Sequence, residues 1–267
     1  MKKPQISVLI PTKNRISMLK DAINSVLLQT FNCFEIIVID DSSSHFVQNE
    51  IKQTFDLKGI SILHTGGNKG GGVARNMGID AAKGDYVAFL DDDDEWIETK
   101  IEEQVAFMNG DTRLIYTGRN IWKPNDKKPR YSFHAPFSDD HFKSIMMQNF
   151  IGSTSSVVIR KDVLNEIGGF DPNLLALQDY DLYIRILKRF RVSWVSNALI
   201  NYNDHHTGDQ VSGNREFFLQ AVTYLKKKYL NELYYKNFKR SLLHIHFLKM
   251  FRSRHYLIAS LKAAIGK

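Results

Sequence analysis

Short apolar runs alternate with segments of helical periodicity over the first third of the chain. Near-continuous apolar runs predict strands buried on both faces, and they cover residues 5–10, 35–39, 60–64 and 86–90. Apolar residues three and four apart predict the helices between these strands, at 17–30, 46–55 and 73–83. Alternating strands and helices predict an α/β fold, doubly wound around a mostly parallel sheet with right-handed crossovers.

The pattern is less regular after residue 97, although further elements can be assigned. We predict a helix at 100–109, a strand at 114–117, a return to the sheet within 150–159 and a helix at 179–190. From Glu216 onward the chain is aromatic, basic and helical in its spacing. We therefore divide it into an α/β body, residues 1–212, and a helical C-terminal extension, residues 213–267.

The charge is distributed unevenly between these two parts. The formal net charge is +7, and residues 213–267 alone contain twelve Lys and Arg against two Asp and Glu. Such asymmetry is typical of a protein that binds an anionic surface, although a solvated basic helical face would produce the same pattern. No recognised nucleic-acid-binding motif accompanies the charge, which argues against nucleic acid as the partner.

Cysteine content and hydropathy limit the class of protein. The single cysteine, Cys33, excludes an intramolecular disulfide framework and a cysteine-based zinc site, as expected in a reducing compartment. The apolar run at 6–10 is too short for a signal peptide, and no run approaches the ~20 residues that cross a bilayer. We therefore expect a cytoplasmic protein without a transmembrane helix.

Two of the predicted strands end in acidic clusters, Asp40–Asp41 and Asp91–Asp94. In an open parallel sheet, ligands bind beyond the carboxyl ends of the strands. Four consecutive aspartates repel one another unless a cation neutralises them, and oxygen ligands suit Mg²⁺ or Mn²⁺. Asp91 and Asp93 would point the same way on an extended segment, and the metal would bridge the phosphates of a nucleotide donor. The alternative is an acidic turn that caps the next helix.

A glycine-rich segment, Gly66–Gly72, precedes one predicted helix. It matches neither the P-loop nor the Gly-x-Gly-x-x-Gly pattern, so by itself it favours a flexible loop over a phosphate-binding nest. Arg75, just inside the helix, is either a phosphate ligand or a surface arginine. Further on, Asp179 lies at a predicted helix N-terminus, where it is either a functional carboxylate or an N-cap.

Taken together and in order, these segments resemble the family-2 glycosyltransferases of the GT-A fold. The resemblance is carried by Ile6–Arg15, Gln29–Phe31, Glu35–Ser43, Asn68–Gly70 with Ala74–Asn76, and Lys83–Asp94. It spans roughly residues 5–212. It implies that residues 1–97 form a nucleotide-binding half and residues 98–212 an acceptor half.

The resemblance also implies a role for each matching residue. The implied donor-binding residues are Pro11, Thr12 and Asn14 in the nucleotide pocket, Asp41 at a base that is most often uracil, Arg75 near the phosphates, and Asp91 and Asp92. Asp93 and Asp91 would bind Mn²⁺ or Mg²⁺. His206, in a loop that resembles a donor-covering loop, would contact the metal or the diphosphate; the alternative is an ordinary loop histidine.

Gln178–Asp179 is similar to the Glu-Asp pair of the family, which implies that Asp179 is the general base of an inverting reaction. Asp179 would deprotonate an acceptor hydroxyl that attacks the anomeric carbon opposite the leaving diphosphate. Gln178 departs from the Glu of the family pattern and puts acceptor recognition nearby in doubt.

The resemblance implies a surface-polysaccharide enzyme, such as one for O-antigen or capsule. We expect a glycan or a polyprenyl-diphosphate-linked acceptor, and a peripheral position on the inner face of the plasma membrane, where the basic extension would contact anionic lipid. The alternatives are a nucleotidyltransferase that makes sugar nucleotides and a non-catalytic nucleotide-sugar binding module. A signalling receiver domain also has acidic strand ends, but it would be about half as long and would lack the later cluster formed by Gly168–Pro172 and Gln178–Asp181.

Overall fold

A single mixed sheet organises the chain. The computed structural model describes residues 5–42, 46–108, 112–124, 126–204 and 215–245. The strands within these ranges are β1 (Ile6–Thr12), β2 (Phe34–Asp40), β3 (Ile60–His64), β4 (Tyr86–Phe89), β5 (Glu95–Trp96), β6 (Leu114–Trp122), β7 (Arg130–Ser132), β8 (Val158–Arg160) and β9 (Ser193–Asn203).

Helices cover both faces of this sheet. They are α1 (Ile16–Leu27), α2 (Phe46–Thr54), α3 (Gly71–Ala81), α4 (Lys100–Val105), α5 (His141–Met147), α6 (Lys161–Ile167), α7 (Gln178–Leu187) and α8 (Arg215–Lys228). A 3₁₀ turn covers Thr154–Ser156, and residues 235–245 are also helical.

The strand order is β3-β2-β1-β4-β8-β6-β9-β5, with β7 paired to β6. Strands β1 to β4 are mutually parallel, as the sequence predicts, with Thr12 opposite Asp40 and Leu9 opposite Phe89. Beyond β4 the directions are mixed, since β8 runs antiparallel to both β4 and β6 while β9 is parallel to β6. The carboxyl ends of β1, β2 and β4 therefore meet at one edge, where the acidic clusters lie.

The largest departure from the predicted elements falls within residues 150–159. Only Val158–Arg160 joins the sheet, and a 3₁₀ turn replaces the remainder of the predicted strand. Ser153 accepts a hydrogen bond from the backbone N–H of Ser155 at 3.2 Å, which closes the turn. Short hydroxyl side chains compete in this way with the hydrogen bonds of a sheet. Smaller differences are an α4 that ends at Val105 and a β6 that continues to Trp122.

Two apolar cores lie on opposite faces of the sheet. Along β1, Val8 and Ile10 contact the core beneath α1 and α2, whereas Leu9 contacts the core beneath α3 and α7. This alternation is the period of two that places successive strand residues on opposite faces. All three side chains are fully buried, so the near-continuous apolar run reflects a strand covered on both sides.

The described part of the C-terminal extension packs onto the second of these cores. Its buried apolar side chains are Phe218, Ala221, Val222, Leu225, Tyr229, Phe238 and Leu242. The Phe238 ring meets those of Tyr180 and Tyr229 at centroid distances of 5.7 and 5.3 Å. Within the described ranges, no helix combines the length and the apolar character needed to cross a membrane.

A polar contact joins α8 to the turn before α7. The Asp171 carboxylate accepts hydrogen bonds from Lys228 Nζ at 2.6 Å and from the Tyr224 hydroxyl at 2.9 Å. Lys228 also lies 2.7 Å from the carboxylate of buried Asp181. Burial opposes ionisation of Asp171, but the hydrogen bonds from Lys228, Asn173 and Tyr224 outweigh it and lower its pKa to about 2.

We predict that Asp171→Asn destabilises the protein by about 1–3 kcal/mol at pH 7, because charged hydrogen bonds of this kind contribute that much. A carboxyl whose folded pKa is depressed stabilises the fold above its unfolded pKa, near 4. The difference between variant and wild type should therefore shrink as the pH falls from about 4 towards 2. Urea unfolding across this range measures it.

The matched control is Asp80→Asn, which removes a carboxylate from an exposed position. We expect its stability to stay within about 0.5 kcal/mol of the wild type at pH 7. A deficit in Asp171→Asn that is independent of pH would show that the carboxylate contributes packing rather than charge.

Candidate active site

The four aspartates that follow β4 form a turn rather than the expected extended segment, since the Asp94 N–H donates to the Asp91 carbonyl at 3.0 Å. Their exposure nevertheless alternates. The Asp92 and Asp94 residues are each 1% exposed, whereas the Asp91 and Asp93 side chains are 27% and 13% exposed. The turn therefore offers one pair of carboxylates to a ligand and keeps the other pair inside.

Asp92, one of the buried aspartates, ties the turn to β1. Its carboxylate accepts a hydrogen bond from the Thr12 hydroxyl at 2.7 Å and is paired with the Arg15 guanidinium. Burial raises the pKa of Asp92 to about 6, although Arg15 and Thr12 favour the charged form. Such a carboxylate is costly to bury and depends on these two partners.

Asp94 ties the same turn to two other segments. It accepts hydrogen bonds from the Ser155 hydroxyl at 2.6 Å and from the Asn203 N–H, at the end of β9, at 3.3 Å. Burial, followed by the negative charges of Asp91 and Asp93, raises its pKa well above the ordinary value. The turn is thus fixed to β1, to the 3₁₀ turn and to β9 at the same time.

The exposed aspartates are each paired with an arginine from another element. The Arg75 guanidinium of α3 lies 2.5 Å from Asp91, which also accepts from the Thr154 hydroxyl at 3.2 Å. Arg15 reaches Asp93 at 3.1 Å as well as Asp92. Two guanidinium groups therefore offset much of the repulsion within the acidic turn.

This donor set fits a hard divalent cation. Mg²⁺ is typically held by one or two carboxylates, with phosphate and water oxygens completing its octahedral shell, and Asp91 and Asp93 are two partly exposed carboxylates on one turn. The described residues contain no cluster of three or more acidic, His or Cys ligands. His206, the third predicted ligand, lies outside the described residues.

The glycine-rich segment is hydrogen-bonded to Asp41 and is not the flexible loop that its composition favours. The Asp41 carboxylate accepts from the N–H groups of Lys69 and Gly70 at 2.8 and 2.9 Å, and from the Thr65 hydroxyl. Asn68 and Gly70 adopt positive φ angles of 56° and 90°. Asp41 thus fixes a loop that leads directly into the N-terminus of α3.

The remaining predicted donor-binding residues lie at the end of β1, beside both acidic segments. Pro11 pairs with Ile39 in the sheet, Thr12 is buried, and Asn14 is exposed with a φ of 58°. Because Asp41 follows β2 and Asp91 follows β4, the neighbours of β1, the structure gathers these residues along one edge.

Asp179 is the second residue of α7 and accepts a hydrogen bond from the N–H of Tyr180 at 2.8 Å. It is not the N-cap, which is Leu177 with a left-handed φ of 58°. Burial raises the pKa of Asp179 despite the opposing effects of the Tyr180 N–H and the nearby Arg75 charge. A raised pKa makes the carboxylate a stronger base.

Gln178, the departure from the family pattern, faces α3. Its amide donates to the Leu174 carbonyl at 2.6 Å, and a Cβ at Gly72 would lie only 3.0 Å from its Nε2 atom. The side chain therefore packs the start of α7 against the start of α3, and it places Asp179 and Arg75 on adjoining helix ends.

Asp179 also lines a cavity of about 760 Å³. The walls come from β6, β7, the end of β9, residues 147–153 and the helix at 235–245. Asp204 lies on the same cavity and its N–H donates to the Trp122 carbonyl at 2.8 Å. A volume of this size is typical of small-molecule sites.

Several residues of this site were not singled out by the motifs. Arg15 appears in the sequence only as the last residue of the first motif, although it neutralises two aspartates of another. Thr154 and Ser155 fall in a segment that we assigned to a strand. Arg119, which lines the cavity, lies in β6, and Asn203 lies in β9. The sequence of neither strand contains a motif that would identify these polar residues. A run of hydroxyl residues after Gly152 is the one sequence signal that indicates a turn.

Solved structures share this fold over most of the chain. A structure of S. aureus TarS 1–349 in complex with UDP-GlcNAc superposes with a TM-score of 0.69, at 19% identity, over 93% of this chain and 73% of that one. The mannosyltransferase PcManGT from Pyrobaculum calidifontis, in complex with GDP-Man and Mn²⁺, gives 0.61 at 14% identity, over 93% and 70%. The fold is therefore that of the GT-A glycosyltransferases.

Sequence comparison identifies the family. Residues 7–168 match the family described as Glycosyl transferase family 2, and the chain belongs to it. It is 31% identical over 206 residues to the putative teichuronic acid biosynthesis glycosyltransferase TuaG of Bacillus subtilis, covering 75% of this chain and 79% of that protein. It is 30% identical over 272 residues to the amylovoran biosynthesis glycosyltransferase AmsB of Erwinia amylovora, covering 91% and 88%. The protein is a glycosyltransferase.

We predict that Thr12→Val, which keeps the shape of the side chain but removes the hydroxyl, destabilises the protein by about 1–3 kcal/mol. The buried Asp92 carboxylate would lose one of its partners while remaining inside. Urea unfolding at pH 7 measures the loss. Thr12→Ser keeps the hydroxyl and should recover most of it; equal losses in both variants would contradict a role for the hydrogen bond.

Proposed function

We propose that the protein is an inverting, divalent-metal-dependent glycosyltransferase that transfers a hexosyl or N-acetylhexosaminyl group from a UDP-sugar to an acceptor hydroxyl. The observation that carries the proposal is the position of Arg75. It pairs with the partly exposed Asp91 at the strand edge, and it lies close enough to Asp179 for its charge to oppose the rise in pKa that burial causes there. A carboxylate pair suited to a metal and a carboxylate suited to a base thus adjoin one another.

The donor would lie along the edge formed by β1, β2 and β4. Pro11, Thr12 and Asn14 would border the nucleoside. The Asp41 carboxylate accepts three hydrogen bonds from described residues, and a carboxylate offers about four acceptor positions, so it retains capacity for an N–H of the base. A uracil base is supported by the TarS structures with UDP and UDP-GlcNAc.

Asp91 and Asp93 would hold the metal, which when bound neutralises the charge that develops on the leaving diphosphate. Asp92 would support them from the buried side of the turn. Arg75 would turn part of its guanidinium towards the same phosphates, since its position beside Asp91 places a cation where that charge grows. His206 is proposed as a further ligand of the metal or the diphosphate.

Asp179 would act on the acceptor. Its carboxylate accepts the proton of a hydroxyl while that oxygen bonds to the anomeric carbon, and the bond to the diphosphate oxygen breaks on the opposite face. The electron pair of the broken bond leaves with the diphosphate, and the configuration inverts. The raised pKa of Asp179 favours this proton transfer.

The acceptor would be a glycan or a polyprenyl-diphosphate-linked oligosaccharide of a surface polysaccharide. The names of TuaG and AmsB, which refer to teichuronic acid and amylovoran biosynthesis, support this class. Residues 1–97 would bind the donor and residues 98–212 the acceptor, with the extension from residue 213 completing the acceptor side. The packing of Phe238 and Leu242 on the core supports that last assignment.

The basic extension would also bring the protein to the inner face of the plasma membrane. Exposed leucines accompany its lysines, with Leu230 at 56%, Leu233 at 80% and Leu243 at 51% exposure. An apolar and basic surface of this kind binds anionic lipid.

We predict that a panel of UDP- and GDP-sugars contains one that raises the melting temperature with Mn²⁺ but not with EDTA. Asp93→Ala should abolish this shift because it removes a metal ligand. Asp179→Asn should keep the shift and lower the transfer rate by about 10²–10⁴-fold, the contribution of a general base.

Product analysis then tests the reaction class. A β product from an α-linked donor, together with free nucleoside diphosphate, is the expected result. Formation of a sugar nucleotide would instead identify a nucleotidyltransferase. No response to any nucleotide sugar, with or without metal, would contradict the proposed function.

We predict that the protein floats with vesicles of phosphatidylcholine and phosphatidylglycerol at low salt, and floats less with phosphatidylcholine alone. The attraction should weaken at high salt because the charges are screened. A protein that stays at the bottom of the gradient with both vesicles would contradict the membrane assignment and leave the transferase assignment unaffected.

A further inference from the structure

The cavity beside Asp179 contains more positive than negative side chains. Arg119, Arg130 and Arg240 line it, against the carboxylates of Asp179 and Asp204. These three arginines come from three different elements, β6, β7 and the helix at 235–245. Cationic side chains brought together by separate elements around one cavity indicate a site for an anion.

Arg119 is held in place by its surroundings. Its guanidinium lies over the Tyr202 ring, 5.6 Å from the centroid, and a Cβ at Gly152 would collide with it. Gly152 also has a φ of 91°, a conformation that residues with a Cβ rarely adopt. The absence of a side chain at Gly152 therefore leaves the space that the Arg119 guanidinium occupies, and a smaller side chain at position 119 would not need that space.

Arg130 reaches the same cavity from the neighbouring strand. It lies opposite Ile121 in the antiparallel pairing of β6 with β7, and Arg119 lies opposite Ser132. Ile121, like both arginines, lines the cavity. This pairing brings two guanidinium-bearing residues to the cavity from adjacent strands.

The helix at 235–245 forms another wall of the cavity. Its cavity-lining residues include Asn237, Arg240, Ser241 and His244, a spacing of three and four that defines one helical face. The other face is apolar, with Phe238 and Leu242 buried in the core. The Ser241 hydroxyl lies 3.2 Å from that of Tyr180, in α7, so this wall is fixed to the helix that carries Asp179.

We propose that this cavity binds an acceptor that carries an acidic group, a carboxylate or a phosphate, and that Arg119, Arg130 and Arg240 recognise that group. The proposal rests on the proposed function and names the acceptor class of the same site. Guanidinium groups bind both anions through paired hydrogen bonds. The negative Asp179 repels the acidic group, which leaves an uncharged hydroxyl of the acceptor to occupy the place beside the base.

The test compares three probes that differ in one group: methyl β-D-glucopyranoside, methyl β-D-glucopyranosiduronic acid and methyl β-D-glucopyranoside 6-phosphate. Titration by ligand-observed NMR measures their dissociation constants. We expect at least one anionic probe to bind at least about tenfold more tightly than the neutral probe, because guanidinium groups form paired, charge-assisted hydrogen bonds with a carboxylate or a phosphate, which the neutral probe lacks. The stronger of the two anionic probes identifies a carboxylate or a phosphate as the preferred group.

The variant Arg130→Ala/Arg240→Ala should lose most of this preference. The matched control is Lys236→Ala/Lys239→Ala, which removes two positive charges from exposed positions of the same helix that do not line the cavity. It should keep the preference. Equal binding of all three probes, including no binding, overturns the proposal, and so does an equal loss in both double variants.

The donor-induced melting shift, measured on the same samples, distinguishes failure of the anionic acceptor site from failure of the proposed function. A protein that responds to a UDP-sugar and Mn²⁺ but does not prefer anionic probes retains the proposed function and loses the anionic acceptor. A protein without any donor response, but with the preference abolished in Arg130→Ala/Arg240→Ala alone, retains an anion site and loses the proposed function.

Discussion

Neutralisation of the acidic turn at residues 91–94 is the constraint on which the site depends. Four carboxylates in a row repel one another, and burial of two of them adds a desolvation cost. Arg15 and Arg75, which come from other parts of the chain, offset this cost because each forms an ion pair with an aspartate of the turn. The same contacts hold the loop after β1 and the start of α3 against the end of β4. The contacts that neutralise the turn are therefore also contacts that assemble the edge formed by β1, β2 and β4.

The four aspartates of the turn also divide into a buried pair and a partly exposed pair. Asp92 and Asp94 are buried and engaged by hydroxyl and backbone donors, so they fix the geometry. Asp91 and Asp93 remain partly exposed and are paired with arginines. A cation bound to these two carboxylates would compete with Arg75 for Asp91 and with Arg15 for Asp93, while Arg15 would keep its ion pair with the buried Asp92.

The sequence predicted most of the first four strands and the acidic segments beside them, because the signals for these features are local. Near-continuous apolar runs identified β1 to β4, and the residues at the ends of β2 and β4 formed the acidic edge. The sequence was less informative after residue 97. There, hydroxyl residues form a 3₁₀ turn at Thr154–Ser156 where we predicted a strand. Arg15 and Arg119 were missed for a further reason, since their roles depend on partners some seventy-eight and thirty-three residues away. Contacts of that kind depend on tertiary packing, which periodicity does not reveal.

The C-terminal extension connects the two sides of the site. Its helix at 235–245 buries Phe238 and Leu242 in the core that also contains α7, while its polar face lines the cavity beside Asp179. A substitution on the polar face would change the lining of the cavity without disturbing the acidic edge, because that edge is held by β1, β4 and α3. Changes on the apolar face would move α7 and Asp179 with it. Under the proposed function, acceptor choice could therefore vary through the extension, provided that its apolar face stays constant.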